Sequence, residues 1–142
     1  MLYAESSAVL TWLFDEPRAP DAIRELENAA SIVTSELTRI ECARAIHRAA
    51  SLGALDRKQV AMLLGQLDAA TSQWDRVELR DRVAELASMV FPVEPVRALD
   101  AIHLASALLA REAWEEIAVL SFDERVRRHA TALGFAVVPA AS

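Results

Sequence analysis

Short apolar runs alternate with amphipathic helical stretches along this chain, and that alternation constrains the fold more than any other feature. Strand-type runs fall at residues 2–5, 31–34, 73–79, 117–120 and 135–138, with helical patterns between them. Strands separated by helices are joined by crossovers, which gives a mostly parallel sheet of four to five short strands with helices on both faces. Ligands of such sheets sit beyond the carboxyl ends of the strands.

The helical stretches carry recognisable starts and stops. Ser6 and Ser7 are cap-type residues before a helix over 8–14, and Pro17 and Pro20 flank Asp21 at the start of the next, whose stripe is Ile23, Leu26 and Ala30. Ser35 opens a long helix with an incomplete capping box; Leu37, Ile40, Ala43, Ile46 and Ala50 form its expected buried stripe, and Gly53 ends it. Asp56 caps a helix reaching Ala70, with Val60, Leu63, Leu64 and Leu67 inward. A helix over 80–90 follows the third strand, and Pro92 and Pro95 then break the chain. Residues 97–111, RALDAIHLASALLAR, make an apolar helix with an expected stripe of Leu99, Ile102, Ala105, Leu108 and Leu109. A last helix over 124–133 is stopped by Gly134.

Composition bounds what such a chain can be. At 142 residues and 54% hydrophobic, residues 1–142 fit one domain with a sizeable core. Glu5 interrupts the first ten residues, so no secretory signal is expected, and no apolar run approaches the ~20 residues of a spanning helix. The expected location is the cytoplasm. Cys42 is the sole cysteine and reads as core, while His47, His103 and His129 lack zinc-ligand spacing. A net charge of −6 argues against a surface devoted to nucleic acid. Among the fifteen basic residues only Lys58 is lysine, however, and the arginines of 39–48 and 125–128 recur on single helices. They form either solvated faces or contacts for a phosphate backbone.

Four carboxylates occupy positions where an unpaired charge is expensive. Glu5 and Asp123 end the first and fourth strands, Glu41 lies beside the stripe of its helix, and Asp100 opens the 97–111 helix one turn before His103. Each has a plain alternative: a solvated strand end for Glu5, a helix cap for Asp100 or Asp123, and Glu36 in place of Glu41. Carboxylates that do converge in a desolvated cleft repel one another unless a divalent cation neutralises them. All-oxygen ligation selects Mg²⁺, or Mn²⁺, over zinc, with Ser7 and Ser121 as further oxygen donors.

The segments YAESSAVLTWL, TSELTRIECARAI, RALDAIHLASAL and LSFDERVRRHATALGF occur in an order that resembles the PIN-domain ribonucleases, in particular the small VapC-type toxins of toxin-antitoxin pairs. The resemblance spans nearly the whole chain. It implies a three-layer α/β/α PIN-like fold in which Glu5, Glu41, Asp100 and Asp123 are the catalytic, metal-binding acids of a Mg²⁺- or Mn²⁺-dependent endoribonuclease. It also implies an RNA substrate, a cognate antitoxin and a homodimer; Trp12, Phe14 and the 63–67 stripe are candidates for an apolar partner groove. One departure is Glu5, where the family usually has aspartate. Its extra methylene bears on the metal geometry, because Mg²⁺ demands near-ideal octahedral coordination.

Two other classes compete. A phospho-accepting receiver domain needs adjacent acids after its first strand and a late lysine, whereas Glu5 stands alone and Lys58 lies mid-chain. A non-catalytic PIN-like binding module is the other, with Glu5 marking a decayed site. Nucleotide binding through a glycine-rich loop is not supported, since Gly53, Gly65 and Gly134 are scattered.

Overall fold

The computed structural model describes residues 1–141 and shows a three-layer α/β/α fold around a five-stranded sheet, all of whose pairings are parallel. In chain order the elements are β1 (Leu2–Ala4), α1 (Ser6–Leu13), α2 (Ala19–Asn28), β2 (Ile32–Ser35), α3 (Glu36–Ser51), α4 (Arg57–Thr71), β3 (Asp75–Val77), α5 (Asp81–Ala87), α6 (Ala98–Ala113), β4 (Ala118–Leu120), α7 (Glu124–Ala132) and β5 (Ala136–Val138). The strand order is β3-β2-β1-β4-β5, with β1 central: Leu2 is opposite Ile32 on one side and Ala118 on the other.

The two-residue period of a strand sends alternate side chains to opposite layers. Tyr3, Val33, Val77 and Val119 point into a core built with Leu104, Ala105 and Ala107 of α6, Val83 of α5 and Val126 of α7. Leu2, Ala4 and Leu120 turn the other way, toward cores that hold Ala8, Val9 and Leu13 of α1, Cys42 and Ile46 of α3, and Leu63 and Leu67 of α4. Cys42 is fully buried, and burial pushes its thiol pKa up, so it serves as core.

Most boundaries fall within a few residues of the expected ones, and the departures have local causes. α1 begins at Ser6 rather than residue 8, because Glu5 takes the N-cap position and the two serines form the first turn. α2 begins at Ala19, with Pro20 in its first turn, ahead of the expected Asp21 start. The third strand is confined to Asp75–Val77, and α5 ends at Ala87, leaving Met89 and Val90 exposed. At Asp56 the capping box is complete: its carboxylate accepts from the Gln59 amide at 2.8 Å, and the Asp56 amide donates to the Gln59 side chain at 2.9 Å. Gly134 ends α7 with φ +86°, a left-handed conformation that side chains disfavour.

The two helices nearest the candidate acids keep part of their expected faces, Leu37 and Ile46 on α3 and Ala105 on α6, but turn Ile40 and Leu99 outward. On α6 the buried residues are Ala101, His103, Leu104, Ala105, Ser106, Ala107 and Ala110, whereas Leu99 is 49% exposed. On α3, Leu37, Thr38, Cys42 and Ile46 are buried and Ile40 is 51% exposed. Small side chains let a helix approach the sheet closely, so the alanine-rich face of α6 is inward although its leucines suggested another. Leu63 and Leu67 are also core, which removes them from the candidate partner groove.

Leu104→Ala is therefore expected to cost about 2–5 kcal/mol, as a cavity-forming change, and Leu99→Ala to stay within about 0.5 kcal/mol. Urea unfolding of the two variants checks this; equal losses would contradict the outward placement of Leu99.

Candidate functional site

The strand order reverses between β1 and β4: β2 and β3 extend from β1 in one direction, β4 and β5 in the other. The crevice beyond the carboxyl ends at such a reversal is where sheets of this type hold ligands. There, Glu5 follows β1, and Ser121 and Asp123 follow β4. Glu41 projects from the second turn of α3, and Asp100 and His103 from the first two turns of α6. Glu5, Glu41, Asp100 and Asp123 line one cavity of about 410 Å³, together with Ser6, Ser7, His103 and Arg125.

Glu5 forms the floor and is only 3% exposed. Its Oε1 accepts from the Ser6 hydroxyl at 2.7 Å, and its Oε2 from the hydroxyls of Ser7 and of Ser121, the latter at 2.7 Å. The Ser7 oxygen in turn accepts from the amides of Phe122 at 2.8 Å and Asp123 at 3.2 Å. The two serine turns are thereby stitched across the crevice. Ser7 and Ser121 act on Glu5 itself, and Ser6, which sequence reasoning missed, joins them. The only advance signal was its cap-type position.

Glu41 stands where α3 passes α1. Its Oε1 lies 2.9 Å from the Ser6 hydroxyl, whose single proton it shares with Glu5 Oε1, and 2.5 Å from His103 Nε2, while His103 Nδ1 lies 2.9 Å from the Tyr3 hydroxyl. Burial pushes the Glu41 carboxyl pKa up, but the hydrogen bonds from His103 and from the Ser6 hydroxyl oppose it, and the carboxyl is held below the ordinary value. The competing Glu36 is elsewhere: it accepts from the Leu79 amide at 2.9 Å and braces the end of β3.

Asp100 makes no side-chain cap, so the capping alternative does not describe it. Its Oδ2 is buried without a hydrogen-bond donor, and the nearest cation is Arg125 Nε at 3.6 Å. Burial and the Asp123 charge push its pKa up, against a smaller downward pull from Arg125. Asp123 does cap its helix, accepting from the Arg125 amide at 2.8 Å, and the Arg125 guanidinium meets its other oxygen at 3.1 Å. Capping and facing the cavity are compatible for this residue.

The donor set fits a divalent cation. An Asp100 oxygen buried without a donor, on a carboxyl whose pKa is pushed up by burial and by the Asp123 and Glu5 charges, leaves unbalanced negative charge, which a cation offsets. Glu5, Glu41 and His103 also each present an atom within 4.8 Å of the others. Among the described residues no helix is long and apolar enough to cross a membrane.

Residues 2–132 match the PIN domain, and the chain belongs to that family. Two curated relatives are ribonucleases of Mycobacterium tuberculosis (strain ATCC 25618 / H37Rv). Ribonuclease VapC35 is 30% identical over 140 residues, covering 97% of this chain and 96% of the relative. Ribonuclease VapC46 is 33% identical over 137 residues, covering 96% and 95%. Among solved structures, FitAB bound to an IR36 DNA fragment superimposes with a TM-score of 0.70 at 13% identity, over 96% of this chain and 93% of the other. A toxin-antitoxin complex from Klebsiella pneumoniae gives 0.64 at 18% identity, over 97% and 96%. These structural likenesses concern the fold.

The raised Asp100 pKa has a definite sign. A carboxyl that binds its proton more tightly when folded costs the fold stability as pH rises from its unfolded value, near 3.8, through its folded one. In EDTA, Asp100→Asn is expected to remove this loss and raise Tm by a few degrees at neutral pH. Thermal scans between pH 4 and pH 7 check it, and an unchanged or lower Tm at both ends would contradict the account.

Proposed function

We propose that residues 1–142 act as a single PIN-like domain, a Mg²⁺- or Mn²⁺-dependent endoribonuclease that is the toxin of a toxin-antitoxin pair. The observation that carries this reading is the meeting of Glu5, Glu41, Asp100 and Asp123, drawn from four separated segments, in one cavity at the sheet's reversal point. Relatives at 30–33% identity over nearly their whole length are named ribonucleases, which supports the reaction class.

In this reading the four acids are the metal-binding and catalytic residues. The cation supplies Lewis-acid polarisation of the phosphodiester and a lowered pKa for bound water. The chain's own part is placement. Three serine hydroxyls fix Glu5, and His103 and Ser6 fix Glu41. Arg125, which pairs with both outer acids at the cavity, is the candidate contact for the phosphate. The Glu5 side chain is satisfied by those hydroxyls despite its extra methylene, which supports a working site over a decayed one.

The basic residues divide in the same terms. Arg39 pairs with Asp68 at 2.8 Å, and Arg127 donates to the carbonyls of Ser121, Val138 and Pro139, so both are structural. Arg44 and Arg48 instead line a groove of about 660 Å³ that shares Leu10, Glu41 and Leu99 with the acidic cavity. They are the candidates for the RNA backbone leading to the acids. An antitoxin partner belongs to the same proposal, supported by the toxin-antitoxin complex from Klebsiella pneumoniae that shares this fold, and the homodimer is proposed with it on the family resemblance alone.

Purified protein is expected to cleave RNA with Mg²⁺ or Mn²⁺ and not in EDTA, with Asp100→Asn and Glu5→Ala each lowering the rate by about 100-fold or more. Cleavage assays on variants checked by circular dichroism decide this. Equal activity of the parent and Asp100→Asn favours the non-catalytic binding module; unaffected cleavage by Glu5→Ala removes Glu5 from the site. In an Asp100→Asn background, replacing Arg44 and Arg48 with Ala should reduce the slope of log K against log salt for single-stranded RNA by about 1.4. Fluorescence anisotropy across a salt series measures it, and an unchanged slope excludes this groove as the backbone track.

A further inference from the structure

His103 looks on sequence like a histidine packed into a helix, and it is 2% exposed. Its surroundings are nevertheless polar on both edges of the ring. Tyr3, 1% exposed, points from β1 toward α6 and places its hydroxyl 2.9 Å from Nδ1, with the rings edge to face at 76°. On the other edge Nε2 lies 2.5 Å from Glu41 Oε1, 3.1 Å from the Ser6 oxygen and 3.7 Å from Glu5 Oε1. The ring thus spans the molecule from the central strand to α3, and one of its ends is a carboxylate of the candidate centre.

We propose that His103 is a positioning residue for Glu41 and that Tyr3 sets its tautomer. The phenol lies among groups that keep it protonated: burial and the negative charge of Glu5 work against ionisation. Its proton goes to Nδ1, so the proton of the neutral ring is on Nε2, where it is donated to Glu41 Oε1. A glutamate side chain has three rotatable bonds and, at 28% side-chain exposure, room to use them. Tethering Oε1 to a ring that is itself fixed holds one rotamer and leaves Oε2, which has no hydrogen-bond partner among the described residues, for the cation. Outer partners of this kind are worth about 10–100-fold in metal affinity.

The inference rests on the metal-site reading above, and Mn²⁺ binding separates the two. Isothermal titration with Mn²⁺ is carried out on the intact protein and on His103→Leu, His103→Gln and Tyr3→Phe, each checked for folding by circular dichroism. Leu fills the space without a donor and is expected to weaken Mn²⁺ binding 10–100-fold. Gln, whose side-chain amide reaches the Nε2 position, is expected to recover most of the loss, which a purely structural role would not produce. Tyr3→Phe keeps the ring packing and should weaken binding several-fold; it tests the relay if His103→Leu does not fold. Long-range ¹H–¹⁵N spectra of the metal-free protein give a readout independent of the ion, and should show Nε2 protonated and Nδ1 bare. No Mn²⁺ binding by the wild-type protein sinks the metal-site reading. Wild-type affinity in the Tyr3→Phe variant and in the folded His103 variants overturns the positioning role alone. So does protonated Nδ1 in the spectra, or an electron paramagnetic ¹⁴N coupling to bound Mn²⁺ that marks His103 as a ligand.

Discussion

A carboxylate buried at the end of the central strand sets the terms for everything around it. Glu5 is almost fully enclosed, and a charge in that position must be matched by donors or it would cost several kcal/mol. The fold supplies three serine hydroxyls from two turns, those after β1 and β4, which meet only because these strands are parallel neighbours in register. The β1–β4 pairing and the satisfaction of Glu5 therefore depend on each other. Both turns are anchored further by Ser7 accepting from the backbone across the crevice.

The two layers contribute differently to the cavity. On the α1, α3 and α4 side, large aliphatic side chains pack conventionally, and Glu41 sits at the margin of that core. On the α6 side the packing face is made largely of alanine. That lets the helix lie close enough for His103 to reach Tyr3 on the sheet and Glu41 beyond it. A bulkier helix face would hold Asp100 and His103 away from Glu5, so small side chains on α6 are a condition of the site as much as of the core.

The acids differ in how they are balanced, and the difference is physical. Glu5 and Glu41 are held by hydroxyl and imidazole groups within the fold, so their negative charge is stabilised before any ion arrives. Asp100 and Asp123 face each other with an exposed arginine as their main counter-charge, and Asp100 carries the penalty in its raised pKa. The inner pair is thus structurally organised and the outer pair electrostatically unfinished, an arrangement that favours a cation in the cavity.

Much of this was legible in residue order. Alternation of apolar runs and helices is a local property of the chain, and it determined the parallel sheet, its helical layers and the placement of Glu5 and Asp123 at strand ends. Element edges were less well marked, since Ser6 could equally precede a helix or open it. Which face of a helix turns inward belonged to the tertiary structure. Leu99 and Ile40 outrank alanine and threonine in hydrophobicity, yet they face outward, because the closeness of the sheet decides which residues fit beneath a helix. The same holds for the contacts that organise the cavity: Ser6 with His103, Tyr3 with His103 and Ser121 with Glu5 join residues about a hundred positions apart. By itself the sequence determined which residues could bear the chemistry and the order of the elements that carry them. Only the folded sheet decided which of them touch, because hydrogen bonding and desolvation depend on distances in space that no local spacing encodes.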